Sequence, residues 1–148
     1  MTLMIREAVP DDLPHVHEMI GLLARHHGDE ALVSLETLRR QVCELGLARV
    51  WVAGEEEGLV GYALVLRRPN LVTGGLGHDL NHLFVREWRR RAGIGKALIA
   101  AVRAAALEEG AEFLMVGTHP ANAGAQQAYR DMGLEELPQP GPRFKVAL

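Results

Sequence analysis

Between Leu83 and Leu98 the chain reads Leu-Phe-Val-Arg-Glu-Trp-Arg-Arg-Arg-Ala-Gly-Ile-Gly-Lys-Ala-Leu. An apolar run that reads as a buried strand stops at Val85, Arg89, Arg90 and Arg91 form a short basic loop, and Gly93 and Gly95 open an alanine-rich helix. The first turn of a helix leaves backbone N–H groups unpaired, and the aligned peptide dipoles add partial positive charge there. Glycine lets such a backbone approach an anion without a Cβ in the way. This segment therefore suits a ligand carrying a phosphate or pyrophosphate. Arg86, Arg89, Arg90, Arg91 and Lys96 surround it. One or two of them are expected to touch phosphate and the others to face solvent.

The loop is not a Walker sequence, because the Gly-Lys-Ser/Thr ending is absent. Nor is it a dinucleotide fingerprint, since the third glycine of that pattern would fall at Leu98. A second segment narrows the choice: Asn122-Ala-Gly-Ala-Gln-Gln-Ala-Tyr129-Arg-Asp-Met-Gly133-Leu134. The pattern Arg90-x-x-Gly93-x-Gly95 after a strand ending in Phe84-Val85, followed by this Asn, Ala-Tyr and Gly-Leu series in that order, resembles the two cofactor motifs of the GNAT N-acetyltransferase superfamily. The resemblance covers the chain well from about Leu80 to Leu148; the N-terminal half matches only in its order of elements.

The resemblance implies acetyl-CoA as cosubstrate and acetyl transfer to a primary amine by direct attack in a ternary complex. It implies that Leu83, Phe84 and Val85 lend main-chain groups to the pantetheine arm, as an added strand would. A bulge is usual there, and its N–H can stabilise an oxyanion. The loop of Arg90, Arg91, Ala92, Gly93, Ile94, Gly95 and Lys96 would hold the pyrophosphate. Asn122 would contact the pantetheine arm or its nearby phosphate; its own chemistry also suits a helix N-cap, and both roles are compatible. Tyr129 would be the general acid that protonates the departing thiolate, because a phenol with a pKa near ~10 is still protonated at neutral pH. The plain alternative for Tyr129 is a core aromatic.

An amine with a pKa near ~10.4 must lose a proton before it attacks. Many relatives place a carboxylate just upstream of the cofactor strand, where this chain has His78-Asp79-Leu80-Asn81-His82. Asn81 cannot act as a base. His82 and Asp79 are level candidates, then His119, with a water chain as an equal alternative. Period-two alternation sets His82 and Asp79 on opposite faces of the strand, so that one of them faces substrate.

Composition bounds the rest. The chain has 148 residues, 48% apolar and 24% charged, which fits one globular domain over 1–148. A net charge of −3 argues against nonspecific nucleic-acid binding. Cys43 is the single cysteine, so no internal disulfide forms and a reducing cytoplasm is expected. No signal-peptide pattern is visible at the start, and no apolar stretch approaches the ~20 residues of a membrane span. His15, His17, His26 and His27 lack metal-ligand spacing, so no metal is expected.

The elements that must position these groups read as a mixed α/β sheet with about four flanking helices and a central β-α-β unit; the resemblance makes that sheet mostly antiparallel and twisted. Leu3–Val9 is a strand, ended by Pro10, and a helix spans roughly 12–26 with Leu13, Val16, Met19, Ile20 and Leu23 on its apolar face. A second helix runs from Ser34 to about Leu45. Ala48–Ala53 and Leu59–Leu66 form a hairpin about Gly54-Glu-Glu-Glu-Gly58, and Arg67–Asn70 with Gly74–Gly77 read as loop. A helix from Ile94 to Glu109, a strand at Phe113–Val116 and a helix over Asn122–Met132 follow. Leu134–Leu137 and Phe144–Leu148 read as short terminal strands.

Two other functions compete. One is an acyl-CoA-binding sensor or regulatory module with little catalysis, which Asn81 favours and Tyr129 disfavours. The other is acetylation of a protein N-terminus or lysine. A small-molecule amine is the expected acceptor, and Asp29, Glu30, Glu36 and Glu55 to Glu57 hint at a cationic one. A homodimer is expected by resemblance.

Overall fold

The computed structural model describes residues 2–118, 120–138 and 141–148. The chain divides into two compact units, Met1–Gly117 and Thr118–Leu148.

The first unit is built on a five-stranded sheet in the order β1-β2-β3-β4-β5. The strands are β1 (Met4–Glu7), β2 (Ala48–Glu55), β3 (Gly58–Pro69), β4 (Leu76–Val85) and β5 (Phe113–Val116). The first four pair antiparallel, and β5 joins β4 in parallel. Parallel pairing requires a crossover, and helix α3 (Ile94–Glu108) supplies it. Helix α1 (Leu13–His26) and the short α2 (Leu35–Arg39), continued by one π-helical turn over Arg40–Glu44, complete the unit.

The central strands are apolar on both faces because helices cover both. Leu13, Val16, Met19 and Ile20 of α1 and Leu38 of α2 pack with Val50, Val52, Tyr62, Leu64 and Phe84 on one face. On the other, Leu98 of α3 comes up against Gly61 of β3, and Ile94, Leu98, Ile99 and Val102 are all buried. Each such side chain contributes roughly 1.5–3 kcal/mol on burial. Asp12 ties the start of α1 to β1: its carboxylate accepts from Nη1 and Nη2 of Arg6 at 2.6 and 3.0 Å and from the Val9 N–H at 2.8 Å.

Two expectations about element ends change. Arg67 to Pro69 are not loop, because pairing with Leu76 to His78 carries β3 on to Pro69 and overrides their composition. Leu134–Leu137 and Phe144–Leu148 form no strand: neither run is paired in a ladder, and Pro138 and Pro142 remove donors beside them.

The second unit contains α4 (Ala123–Asp131). Asn122 caps it, its side-chain oxygen accepting from the Ala125 N–H at 3.0 Å. The Leu134 N–H closes the other end on the Tyr129 carbonyl at 3.0 Å. Among the described residues no helix is long and apolar enough to cross a membrane.

Candidate active site

Strand β4 is longer than its parallel neighbour. Pairing with β5 ends at Leu80 opposite Val116, yet β4 continues to Val85. Within the first unit, the edge of Asn81 to Val85 that faced β5 is left without a strand beside it. Unpaired strand edges offer N–H and C=O groups to an extended ligand.

The same stretch contains a bulge. Leu83 pairs with Ala63 and His82 with Leu64, but Val65 pairs with Leu80, so Asn81 has no partner on β3. One extra residue shifts the alternation. Asp79, opposite Leu66, and His82, opposite Leu64, consequently share the face that carries Tyr62 and Phe84. This corrects the expectation that they lie on opposite faces. Asn81 itself is exposed.

Both side chains have partners. The Asp79 carboxylate is 3.8 Å from the Arg68 guanidinium. Nδ1 of His82 is 3.1 Å from the Tyr62 hydroxyl. Burial pushes the His82 pKa down, and the charge of His27 at the end of α1 adds to that. Burial pushes the Tyr62 phenol well above its ordinary value. Tyr62 has no exposure and escaped the sequence reading. Its signal was a lone phenol in an otherwise aliphatic strand interior.

Beyond Val85 the chain makes a single 3-10 turn over Glu87–Arg89 and enters α3. Arg91 (φ 64°) and Gly93 (φ 79°) both hold left-handed backbone on either side of Ala92. Alternation of this kind turns successive N–H groups toward one point. No side chain caps α3, so the first-turn amides of Ile94, Gly95 and Lys96 lack an intrahelical acceptor. A Cβ built on Gly95 would meet only Leu83 and Val85 side-chain carbons at 3.8 and 3.9 Å, which is ordinary contact. The protein does not itself require glycine at 95. Space kept clear beside uncapped amides is what an anion needs.

The basic cluster divides. Arg89 grips the buried Glu55 carboxylate through two bonds of 2.7 and 2.9 Å. Arg86 donates to the Leu59 carbonyl and to Glu18. Arg90 folds back to donate to the Val85 carbonyl at 2.9 Å, with its guanidinium over the Phe84 ring. Arg91 and Lys96 are exposed and make no ion pair among the described residues. They are the two cations of this cluster left unpaired among the described residues.

In the second unit, Tyr129 is half-buried, and burial raises its pKa. His119, the third-ranked base, lies outside the described residues. Among the described residues no group of three or more His, Cys, Asp or Glu side chains could hold a metal ion. His17 is occupied, its Nε2 2.7 Å from the Val33 carbonyl. A separate open cleft of about 420 Å³ lies between the β2–β3 turn and the start of α1, lined in part by Arg6, Asp12, His15 and Glu56. None of the expected catalytic or cofactor-binding residues lines it, though Glu55 and Glu56, among the acidic residues that suggested a cationic acceptor, do.

Residues 16–134 match the Acetyltransferase (GNAT) family. Over 91 residues the chain is 36% identical to human N-acetyltransferase 8, covering 60% of this chain and 39% of that relative. The chain thus matches well under half of that relative's length. Two solved structures share the fold. An aminoglycoside acetyltransferase from an uncultured soil metagenomic sample, in complex with trehalose, superimposes with a TM-score of 0.84 at 24% identity, over 99% of this chain and 96% of its own. AAC(6')-Iy, in complex with the bisubstrate analog CoA-S-monomethyl-acetylneamine, gives 0.84 at 21% identity, over 99% and 100%.

Proposed function

The chain belongs to the GNAT acetyltransferase family, and on that footing we propose that it moves an acetyl group from acetyl-CoA to a primary amine of a small molecule. One observation carries the reading. The unpaired edge of β4 from Asn81 to Val85 is followed directly by the left-handed Arg91–Gly93 turn at the uncapped start of α3. A strand edge suits the amide-bearing pantetheine arm, and a cradle of amides suits the pyrophosphate.

In this reading Leu83, Phe84 and Val85 hold the pantetheine through main-chain groups. The amides from Ala92 to Lys96 take the pyrophosphate, with Arg91 and Lys96 adding charge and Arg90 fixing the loop to the strand end. Asn122 both caps α4 and contacts the cosubstrate, a role that rests on the motif. The cosubstrate supplies an activated acyl carbon. The protein supplies proximity, a donor to the acyl oxygen and two proton transfers.

Asp79, which stands 3.8 Å from Arg68 on the face shared with His82, receives the proton of the amine, directly or through water. Tyr129 gives a proton to the departing thiolate; its raised pKa keeps the phenol protonated across the working range. Cys43 is exposed and stands outside both motifs, so the amine attacks the thioester directly. The acceptor class follows the family's chemistry and the aminoglycoside acetyltransferase among the solved structures. A single domain, a cytoplasmic location and a homodimer are part of the same proposal.

The deciding experiment measures free thiol released from acetyl-CoA with a panel of amines, beside calorimetric titration with coenzyme A. Turnover with at least one small-molecule amine is expected. Tight binding of coenzyme A with no turnover on any amine would instead establish an acyl-CoA-binding module.

A further inference from the structure

We propose that Tyr62 fixes His82 as its Nε2–H tautomer, so that His82 serves the transfer as a neutral hydrogen-bond donor to the acyl oxygen and not as the base. The proposal rests on the acetyl-transfer reading above.

The argument begins with the phenol. Tyr62 is fully buried, and a buried O–H needs an acceptor. Among the described residues that hydroxyl has one hydrogen-bond partner, Nδ1 of His82, at 3.1 Å. Two arrangements of the proton fit that distance. If the imidazole donated from Nδ1, the phenol hydrogen would be left buried with no acceptor and would forfeit its hydration. If the phenol donates, both groups are satisfied. Transfer of the proton to make a phenolate and an imidazolium is opposed at both ends, since burial disfavours either charge. The phenol therefore donates, Nδ1 accepts, and the remaining imidazole proton sits on Nε2.

That assignment decides what His82 can do. The Nδ1 lone pair is occupied and Nε2 carries hydrogen, so no lone pair is free to take a proton from an amine. Tyr62 caps Nδ1 from β3, His27 opposes protonation from the end of α1, and Asp79 stands on the same face of β4. The bulge at Asn81 brings Asp79 and His82 to one face, which gives the site a carboxylate acceptor and a neutral donor together. Beside the unpaired edge of β4, the group that gains negative charge during transfer is the thioester carbonyl oxygen. As the amine adds, the C–N bond forms and the carbonyl π pair moves onto that oxygen, where Nε2–H meets it. Asp79 takes the amine proton, the C=O bond re-forms, and the C–S bond breaks. The thiolate then takes the Tyr129 proton, while His82 keeps its own throughout. Tyr62 touches neither substrate and acts as a positioning residue.

The experiment has two arms on the full chain. Nitrogen-15 NMR of histidine-labelled protein at pH 7, without ligand, is expected to show His82 neutral with its proton on Nε2, and Tyr62→Phe is expected to mix in the other tautomer. A signal for Nδ1–H or for doubly protonated His82 in the wild type overturns the assignment, whatever the turnover. In the second arm, His82→Gln places an amide N–H near the Nε2 position and is expected to recover at least about 10-fold of the kcat lost in His82→Ala, a loss of about 10²-fold or more for a missing oxyanion donor. His82→Gln as inactive as His82→Ala overturns the donor role. A wild type without turnover on any amine overturns the acetyl-transfer reading, and the donor role with it, but leaves the tautomer result standing.

Discussion

Asp79 and His82 stand on one face of β4 although three positions separate them, because Asn81 between them has no partner on β3. That shared face places a carboxylate next to the unpaired end of the strand. Asp79→Asn keeps the shape and removes the charge. It is expected to lower kcat by about 10²-fold, within the usual range for a lost proton acceptor, with KM for acetyl-CoA nearly unchanged. Initial rates of thiol release give both constants. A wild-type kcat in Asp79→Asn would move the proton acceptor to another group or to solvent.

Gly93 and Gly95 lie two residues apart and are expected to respond oppositely. Gly93 has φ 79°, a conformation that costs a side chain roughly 1–2 kcal/mol, so Gly93→Ala should lower Tm. Gly95 lies in the first turn of α3 with room for a Cβ, so Gly95→Ala should leave stability unchanged or raise it by up to ~1 kcal/mol. That methyl would nevertheless fill the space beside the first-turn amides. KM for acetyl-CoA is expected to rise about 10-fold or more, as expected if roughly 1.4 kcal/mol of phosphate contact is lost. Thermal melts and steady-state kinetics on the pair test this, and Gly95→Ala with wild-type KM would remove the pyrophosphate from this turn.

Tyr129 has a pKa raised by burial, so its neutral form persists to higher pH than a free phenol's. An acid that must be protonated works below its pKa and fails above it. The alkaline fall in kcat attributable to Tyr129 is therefore expected above pH ~10. Tyr129→Phe should lower kcat by 10²-fold or more, in the ~10²–10⁴ range of general acids, and abolish that alkaline limb. Its stability should change little, because the ring is retained. A pH–rate profile for both proteins is the check.

Much of this arrangement was legible from residue types. Ile94, Leu98 and Val102 recur at helical spacing, and α3 forms over nearly the expected span, Ile94–Glu108. Phe113–Val116 forms as expected because a short apolar run between turn residues has few alternatives. The bulge was not legible in place. Whether Asn81 pairs or is skipped depends on β3, and a strand's own residues say nothing of its partner's register. For the same reason the extension of β3 to Pro69 and the meeting of Tyr62 with His82 were hidden, since 20 positions separate that pair. The division of the arginines was hidden too. Arg86 and Arg89 look like Arg91 in sequence, and only the fold brings Glu18 and Glu55 to them.

Asp12 links β1 to α1, and its effect on stability has a definite sign. The two bonds from Arg6 hold its carboxyl below the usual range; desolvation opposes them, and the Val9 N–H assists them. A carboxyl with a folded pKa below its unfolded value of ~3.9 stabilises the protein above that value, and the contribution disappears as pH falls through the folded pKa. Asp12→Asn keeps the size but loses the charge and one acceptor. At pH 7 it should cost about 1–2 kcal/mol, the range for a partly buried bond to a charged group. Below pH ~4 that contribution shrinks as pH falls toward the folded pKa, so the gap between the two proteins should narrow. Urea titrations at pH 7 and pH 3 measure this. A gap of equal size at both pH values would mean that Asp12 acts through packing and not through its charge.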